Sequence, residues 1–296
     1  MTEIKKLTGE DTRLSYSSST LVSNCEQRYY YYKVKKEKKD KDASSRDDSH
    51  FHIGTSFHHV LEMSMHEKPT NIDGDLEYCI QNEGLKEEDK GLVHAMVLQY
   101  LRLRKGSGFI AVACEYRIEH PDIIGFIDLV EVHEETGDWY ISDLKTAKTF
   151  YDSKIAELPS NPQLCLYASF YQEIAEKYGL DPDKFRGCRY LVCTKSSAKQ
   201  QPKEDYAGYV MRMVDKKLVK AVFITIPREL MRITETREDI IRLHKRTMEI
   251  RNGATPIRNY TYCNSFFRPC DYFSKCHGKE SSEMMKTSKI HITRTK

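Results

Sequence analysis

The sequence has no long apolar run, so no segment is expected to span a bilayer and no membrane partner is expected. Its first ten residues lack the apolar core of a secretory signal, which points to a cytoplasmic protein. It carries no Gly-x-x-x-x-Gly-Lys-Ser/Thr loop, so no nucleotide-driven motor is expected within this chain. Charge of one sign is also missing. Lys and Arg number 47 against 44 Asp and Glu, for a net +3, so an acidic partner must meet a local patch. The length, 296 residues, suits one large domain or two small ones with ample core.

Cysteine is not scarce. Nine in a cytoplasmic chain are not expected to form a disulfide framework; they are reduced core residues, metal ligands or both. Cys79, Cys114, Cys165, Cys188 and Cys193 sit in apolar contexts and read as core. Cys25 stands alone near the start, and Cys263, Cys270 and Cys276 cluster near the end. Four thiolates can hold an iron–sulfur cluster or a structural zinc.

Lys33, Lys35, Lys36, Lys38, Lys39 and Lys41 crowd one stretch. They read as a solvated loop, as a nucleic-acid contact, or as both. Tyr29 to Tyr32 just before could stack on bases. Packing a helix onto a sheet is the favoured role for at least two of them.

Ser15 to Thr20 offers caps for a helix beginning near Ser18 or Ser19 and running past Cys25 to Tyr32. After a loop over 33–50, Phe57, Val60, Leu61, Ser64 and Met65 follow the helical period, with His58 beside the apolar stripe. Residues 71–105 read as two helical pieces separated by polar residues 82–90. Strands are expected over 109–119, 123–132 and 138–146. Then come a helix over 159–178, a buried strand over 189–194, further strands over 206–214 and 222–226, and a charged helix over 228–251. The last twenty residues are polar and basic and are expected to fray.

Two of these strands carry charge inward. Trp139, Ile141, Asp143 and Lys145 share one parity, so two apolar side chains lead into a carboxylate and an ammonium on the same face. Asp128 shares parity with Ile124, Phe126, Val130 and Val132. Buried charges need partners. Two carboxylates and a lysine are what a divalent-metal phosphodiesterase needs. Hard cations take carboxylate oxygens, a bound cation polarises a phosphate and acidifies water, and a lysine stabilises phosphate charge. Gln163 and Tyr167, four apart on one helix face, could hold the water or the backbone.

The order Gly54-Thr55-x-x-His58-x-x-Leu61-Glu62, Glu115, Gly125-Phe126-Ile127-Asp128, Asp143-Leu144-Lys145-Thr146 and Gln163-Leu164-x-Leu166-Tyr167 resembles the PD-(D/E)XK nuclease superfamily, and within it the RecB-like branch. Each motif alone is weak; five in this order and context are specific, over roughly residues 15–276. The resemblance implies His58, Asp128 and Asp143 as ligands of Mg²⁺ or Mn²⁺, with the Leu144 carbonyl as a further one. It implies Lys145 as the catalytic lysine, Gln163 and Tyr167 as supporting residues, and Glu115 at a looser acidic position. A subset of this branch, including AddB-type subunits and CRISPR-associated acquisition nucleases, has one cysteine before the core and three after it. The resemblance therefore implies that Cys25, Cys263, Cys270 and Cys276 hold a [4Fe–4S] cluster joining the ends of the domain, with zinc as the second choice of occupant. The six residues between Cys263 and Cys270, where the family commonly has two, depart from that pattern.

The expected fold is α/β (α+β): a restriction-endonuclease-like core with a mixed central sheet flanked by helices, and an iron–sulfur segment joining its N- and C-terminal parts. The expected divisions are a helical part over 1–108, the nuclease core over 109–226, a C-terminal helix and cysteine cluster over 227–278, and a disordered tail over 279–296. The expected function is a metal-dependent deoxyribonuclease, an exonuclease on single-stranded DNA or duplex ends in bacterial or phage recombination and repair. A separate helicase or recombinase is its expected partner. Basic residues including Lys33, Lys35 and Lys36 would contact DNA. Two alternatives carry no cleavage: a DNA-end-binding subunit, and a redox-responsive iron–sulfur DNA-binding protein. The filled acidic and lysine positions weigh against the first, and the absence of a recognisable helix-turn-helix against the second.

Overall fold

The computed structural model describes residues 11–40, 49–66, 71–265 and 268–278. Lys41 of the basic stretch and the tail from residue 279 lie outside these. Chain contacts divide the protein into two units: residues 48–239, and residues 1–47 taken with 240–296. No helix among the described residues is long and apolar enough to cross a membrane.

The larger unit is built on a five-stranded mixed sheet in the order β1-β2-β3-β4-β5. Its strands are β1 (Phe109–Arg117), β2 (Phe126–His133), β3 (Trp139–Ala147), β4 (Phe185–Thr194) and β5 (Ala221–Pro227). β1 to β3 form the expected antiparallel meander. β3 and β4 run parallel and β4 and β5 antiparallel. A parallel pair needs a crossover. Here it is helical: α6 (Asp152–Glu157), α7 (Pro162–Ala168) and α8 (Tyr171–Tyr178). Asn161 caps α7 by accepting from the backbone of Gln163 and Leu164, and Pro162 opens the helix. The single helix expected over 159–178 is thus two, broken at Ser169 and Phe170.

One face of the sheet is covered by α3 (Ser49–His66), α4 (Ile72–Asn82), α5 (Lys90–Arg104) and α9 (Tyr206–Asp215). Phe57, Leu61, Met96 and Tyr100 pack with Leu144 and Leu191 in this core. The segment expected as a strand over 206–214 is α9. Tyr209, Val210, Met213 and Val214 are buried at helical spacing, and the Asp205 carboxylate accepts from Gly208 N–H at 2.7 Å. Its β-branched and aromatic content suits a strand, but cap and period override propensity.

The smaller unit contains α1 (Tyr16–Asn24), α2 (Glu26–Tyr29), a π-helical turn over Tyr30–Val34, the end of α10 (Ile233–Arg251), the two-residue strands β6 (Asn264–Ser265) and β7 (Arg268–Pro269), and α11 (Phe273–His277). α1 starts earlier than expected because Ser15, not a later serine, is its cap. α10 starts later than expected, after a 3₁₀ turn over Arg228–Leu230. Polar pairs join the early and late segments. Glu26 takes two hydrogen bonds of 2.8 Å from Arg246 and a third of 2.8 Å from the Ile257 N–H. Arg28 meets Asp271 at 3.1 Å. Tyr29 is buried beside Arg251, and Tyr31 packs on Tyr272 with ring centroids 5.7 Å apart. These tyrosines therefore pack on the late segment of their own unit, where packing onto a sheet was expected.

Candidate active site

Glycine spacing brings the site together. A Cβ on Gly54 of α3 would stand 3.3 Å from Thr146 Oγ1, so the small residue lets α3 approach the end of β3. One turn later His58 Nδ1 lies 3.8 Å from Asp128 Oδ1. A Cβ on Gly125 would stand 3.2 Å from the Tyr167 ring, which brings α7 close to the start of β2.

Asp128 Oδ2 accepts from Leu144 N–H at 2.6 Å. Burial raises its pKa, against the pull of Lys145. Asp143 is 1% exposed. Its Oδ1 accepts from Lys145 Nζ at 2.8 Å, and its Oδ2 is buried with no hydrogen-bond partner among the described residues. Burial pushes Asp143 up to about 6, against Lys145 and with help from Asp128. Burial also acts against the Lys145 ammonium, but Asp143 and Asp128 outweigh it, and the pKa is raised. His58 is pushed down to about 4 by burial and the charge of Lys145, while a hydrogen bond from its ring to the Leu144 backbone pulls the other way. At neutral pH His58 is therefore a neutral imidazole able to bind a metal.

Glu115 joins this group by an unusual route. Its φ is +46°, the left-handed region that non-glycine residues rarely adopt, in the middle of β1. Its carboxylate, Asp128 and His58 offer ligand atoms that all lie within 4.8 Å of one another. Burial and the charges of Asp128 and Glu62 raise Glu115 to about 7. Glu62, the last residue of the Gly54–Glu62 motif, lies on α3, one turn beyond His58. Helical spacing from His58 is the signal that could have assigned it. On α7, Gln163 Nε2 donates to Tyr167 Oη at 3.0 Å, and burial pushes Tyr167 up to about 12.

The donor set fits a divalent cation. It offers a neutral imidazole and three carboxylates, one of which, Asp143, keeps a buried oxygen with no hydrogen-bond partner among the described residues, all held by strands and helices rather than loops. The ammonium of Lys145 stands beside it. A family model of the PD-(D/E)XK nuclease superfamily matches residues 13–277. The chain belongs to that superfamily. No curated protein matches the sequence. Within the matched span Asp143-Leu144-Lys145 has the D-x-K spacing, and the sheet that carries it is the mixed sheet expected of such a core.

In the smaller unit, Cys25, Cys263, Cys270 and Cys276 line one pocket. Cys25 interrupts the helix expected to run through it: its backbone is extended between α1 and α2. Within the long Cys263–Cys270 gap β6 pairs antiparallel with β7, and Cys270 N–H donates to the Cys263 carbonyl at 2.8 Å. His277 Nε2 lies 3.5 Å from Cys263 Sγ. All nine cysteines are free; Cys79, Cys165, Cys188 and Cys193 are buried and Cys114 half-buried. Of the basic stretch, Lys33 is half-buried over the Tyr32 ring, and Lys35, Lys36, Lys38 and Lys39 are exposed.

Proposed function

We propose that the protein is a metal-dependent DNA exonuclease acting on single strands or duplex ends. The observation that carries the hydrolytic part is the buried, half-satisfied Asp143 carboxylate beside Lys145, Asp128, Glu115 and His58. Asp143, Asp128, Glu115 and His58 would hold Mg²⁺ or Mn²⁺, with the Leu144 backbone at the same place. When bound, such a cation supplies polarisation of the phosphate and acidification of a nearby water. Lys145, held as an ammonium by Asp143, donates to a phosphate oxygen and offsets the charge that grows there. Gln163 and Tyr167 hold each other on the α7 side of the sheet and orient the incoming backbone. In the reaction a water oxygen bonds to phosphorus, the bond to the leaving oxygen breaks, and that oxygen takes a proton. The exonuclease reading rests on the RecB-like order of motifs, with the exposed lysines of the smaller unit as phosphate contacts.

The pocket of four thiols supports a [4Fe–4S] cluster, or zinc as the alternative occupant, in the same reading. Anaerobic protein should contain iron and sulfide, and Cys276→Ser should lose both and weaken DNA binding before the fold is lost. Full stability and full DNA binding in that variant would remove the structural role. In this reading the protein works in the cytoplasm of a bacterial or phage-infected cell, in recombination or repair, with any helicase supplied by another chain.

The test is digestion of end-labelled linear and closed circular single-stranded DNA with Mn²⁺, wild type beside Asp143→Ala. Wild-type loss of the linear substrate alone, abolished in the variant and in excess EDTA, is expected. Cutting of circles would make it an endonuclease. Binding without metal-dependent cleavage of either would leave a DNA-end-binding protein.

A further inference from the structure

A second group of ligand-type side chains lies in the larger unit, on the neighbouring side of the helix that carries His58. His59 of α3 faces Cys79 and Glu83, and their ligand atoms all lie within 4.8 Å of one another. His59 Nδ1 is 3.4 Å from Glu83 Oε1. The other oxygen, Glu83 Oε2, is buried and has no hydrogen-bond partner among the described residues. Cys79 and Glu83 are four apart at the end of α4, where Glu83 N–H donates to the Cys79 carbonyl at 2.9 Å, so both side chains leave one helix face. The His59 ring is stacked on Tyr78 at 4.9 Å and 11°, which fixes its orientation. Cys79 is fully buried, so it is no surface nucleophile.

We propose that His59, Cys79 and Glu83 form a Zn²⁺ site distinct from the nuclease centre. The chemistry separates the two. Thiolate and imidazole donors select zinc, whereas the oxygen-rich centre around Asp128 selects Mg²⁺ or Mn²⁺. Ligand distances of zinc, about 2.0–2.3 Å, place neighbouring donors roughly 3.3–3.8 Å apart, within reach of small side-chain adjustments here. Three protein ligands leave one position for water. On binding, the Cys79 thiol gives its proton to solvent as the Zn–S bond forms, so occupancy falls as pH falls. The ion ties α3 to the end of α4. Because His58 and His59 are consecutive, it also holds the helix that presents a ligand to the nuclease centre.

The test is metal analysis of full-length protein equilibrated with Zn²⁺ and freed of loosely held ions, together with its thermal unfolding. His59→Gln and Glu83→Gln are polar, partly exposed changes that preserve the core. Each should lower bound zinc by one equivalent relative to wild type and abolish the zinc-dependent rise in unfolding midpoint. Asp143→Asn should retain that equivalent, and Cys276→Ser should retain it while losing whatever the four-cysteine pocket holds. With Co²⁺ in place of zinc, Cys79→Ser should lose one thiolate-to-cobalt absorption contribution. An unchanged zinc content in His59→Gln overturns the proposal, as does loss of the same equivalent in Asp143→Asn.

Discussion

Two buried carboxylates lie on adjacent strands of one sheet, on opposite faces, and they are treated in opposite ways. Glu131 of β2 is fully buried and completely answered. Ser142 Oγ donates to it, and Arg104 and Arg189 each reach it at 2.7 Å. The Arg189 guanidinium is itself held between the rings of Phe109 and Phe223, 4.0 and 3.9 Å away. Asp143 of β3 is as deeply buried, but among the described residues its hydrogen-bond partner is Lys145 alone, and its other oxygen has none. A satisfied buried charge holds structure together, whereas an unsatisfied one stores a demand that a ligand can meet. The contrast separates framework from site without reference to any relative.

The largest expected effect breaks the Asp143 side. Asp143→Asn should cut the cleavage rate by roughly 10³-fold, the scale of losing one preorganised charge at a reacting centre. Because it removes a charge that is only half satisfied and that burial disfavours more than Lys145 supports it, DNA affinity and thermal stability should hold or rise. Cleavage within about tenfold of wild type would erase the distinction. Next is the Glu131 side. Glu131→Gln should cost about 3–5 kcal/mol of stability, since it strands two arginines. The fraction that stays folded should cleave normally, which denaturant melts combined with active-site-normalised rates will show.

A pH series sharpens the contrast further. Glu115 and Asp143 titrate near 7 and 6 in the folded protein, above their ordinary values of 4.5 and 3.8, and Asp128 is raised as well. A carboxyl with a raised pKa binds more protons folded than unfolded, so its contribution falls as pH rises through that window. His58, lowered from 6.5 to about 4, and His94, lowered from 6.5 by burial, work the other way over that interval. With three carboxyls against two imidazoles, the melting midpoint in EDTA should drop modestly between pH 5 and 7.5. Mg²⁺ should restore more at pH 7.5 than at pH 5, and Glu115→Gln should flatten the curve. A midpoint that climbs over this range would contradict the assignment. The smallest effect is expected at Gln163→Ala. It loses one hydrogen bond to Tyr167, about 1 kcal/mol, or roughly fivefold in activity, with stability little changed.

Much of this site was legible beforehand because strand parity is local. Trp139, Ile141 and Asp143 are buried on one face as alternation requires, and Asp128 meets them from the neighbouring strand. The helical period of α3 likewise put His58 beside the apolar stripe. The strand expected over 206–214 is instead a capped helix of strand-like composition. Parity was silent about Glu131, whose partners come from α5, β3 and β4, far apart in the chain.

What the sequence by itself determined is the order of chemical groups along elements of known period: a histidine on a helix, then acids and a lysine at fixed parity on strands. Covalent geometry alone decides which side chains share a face. Only the tertiary structure decided which of those groups meet. It brings Glu115, on a left-handed backbone, within reach of Asp128 and His58, leaves one oxygen of Asp143 without a hydrogen-bond partner among the described residues, pairs β6 with β7 between Cys263 and Cys270, and brings His59 against Cys79 and Glu83. Each depends on packing between residues distant in the chain. Local propensity carries no information about that, and burial makes the result costly to change.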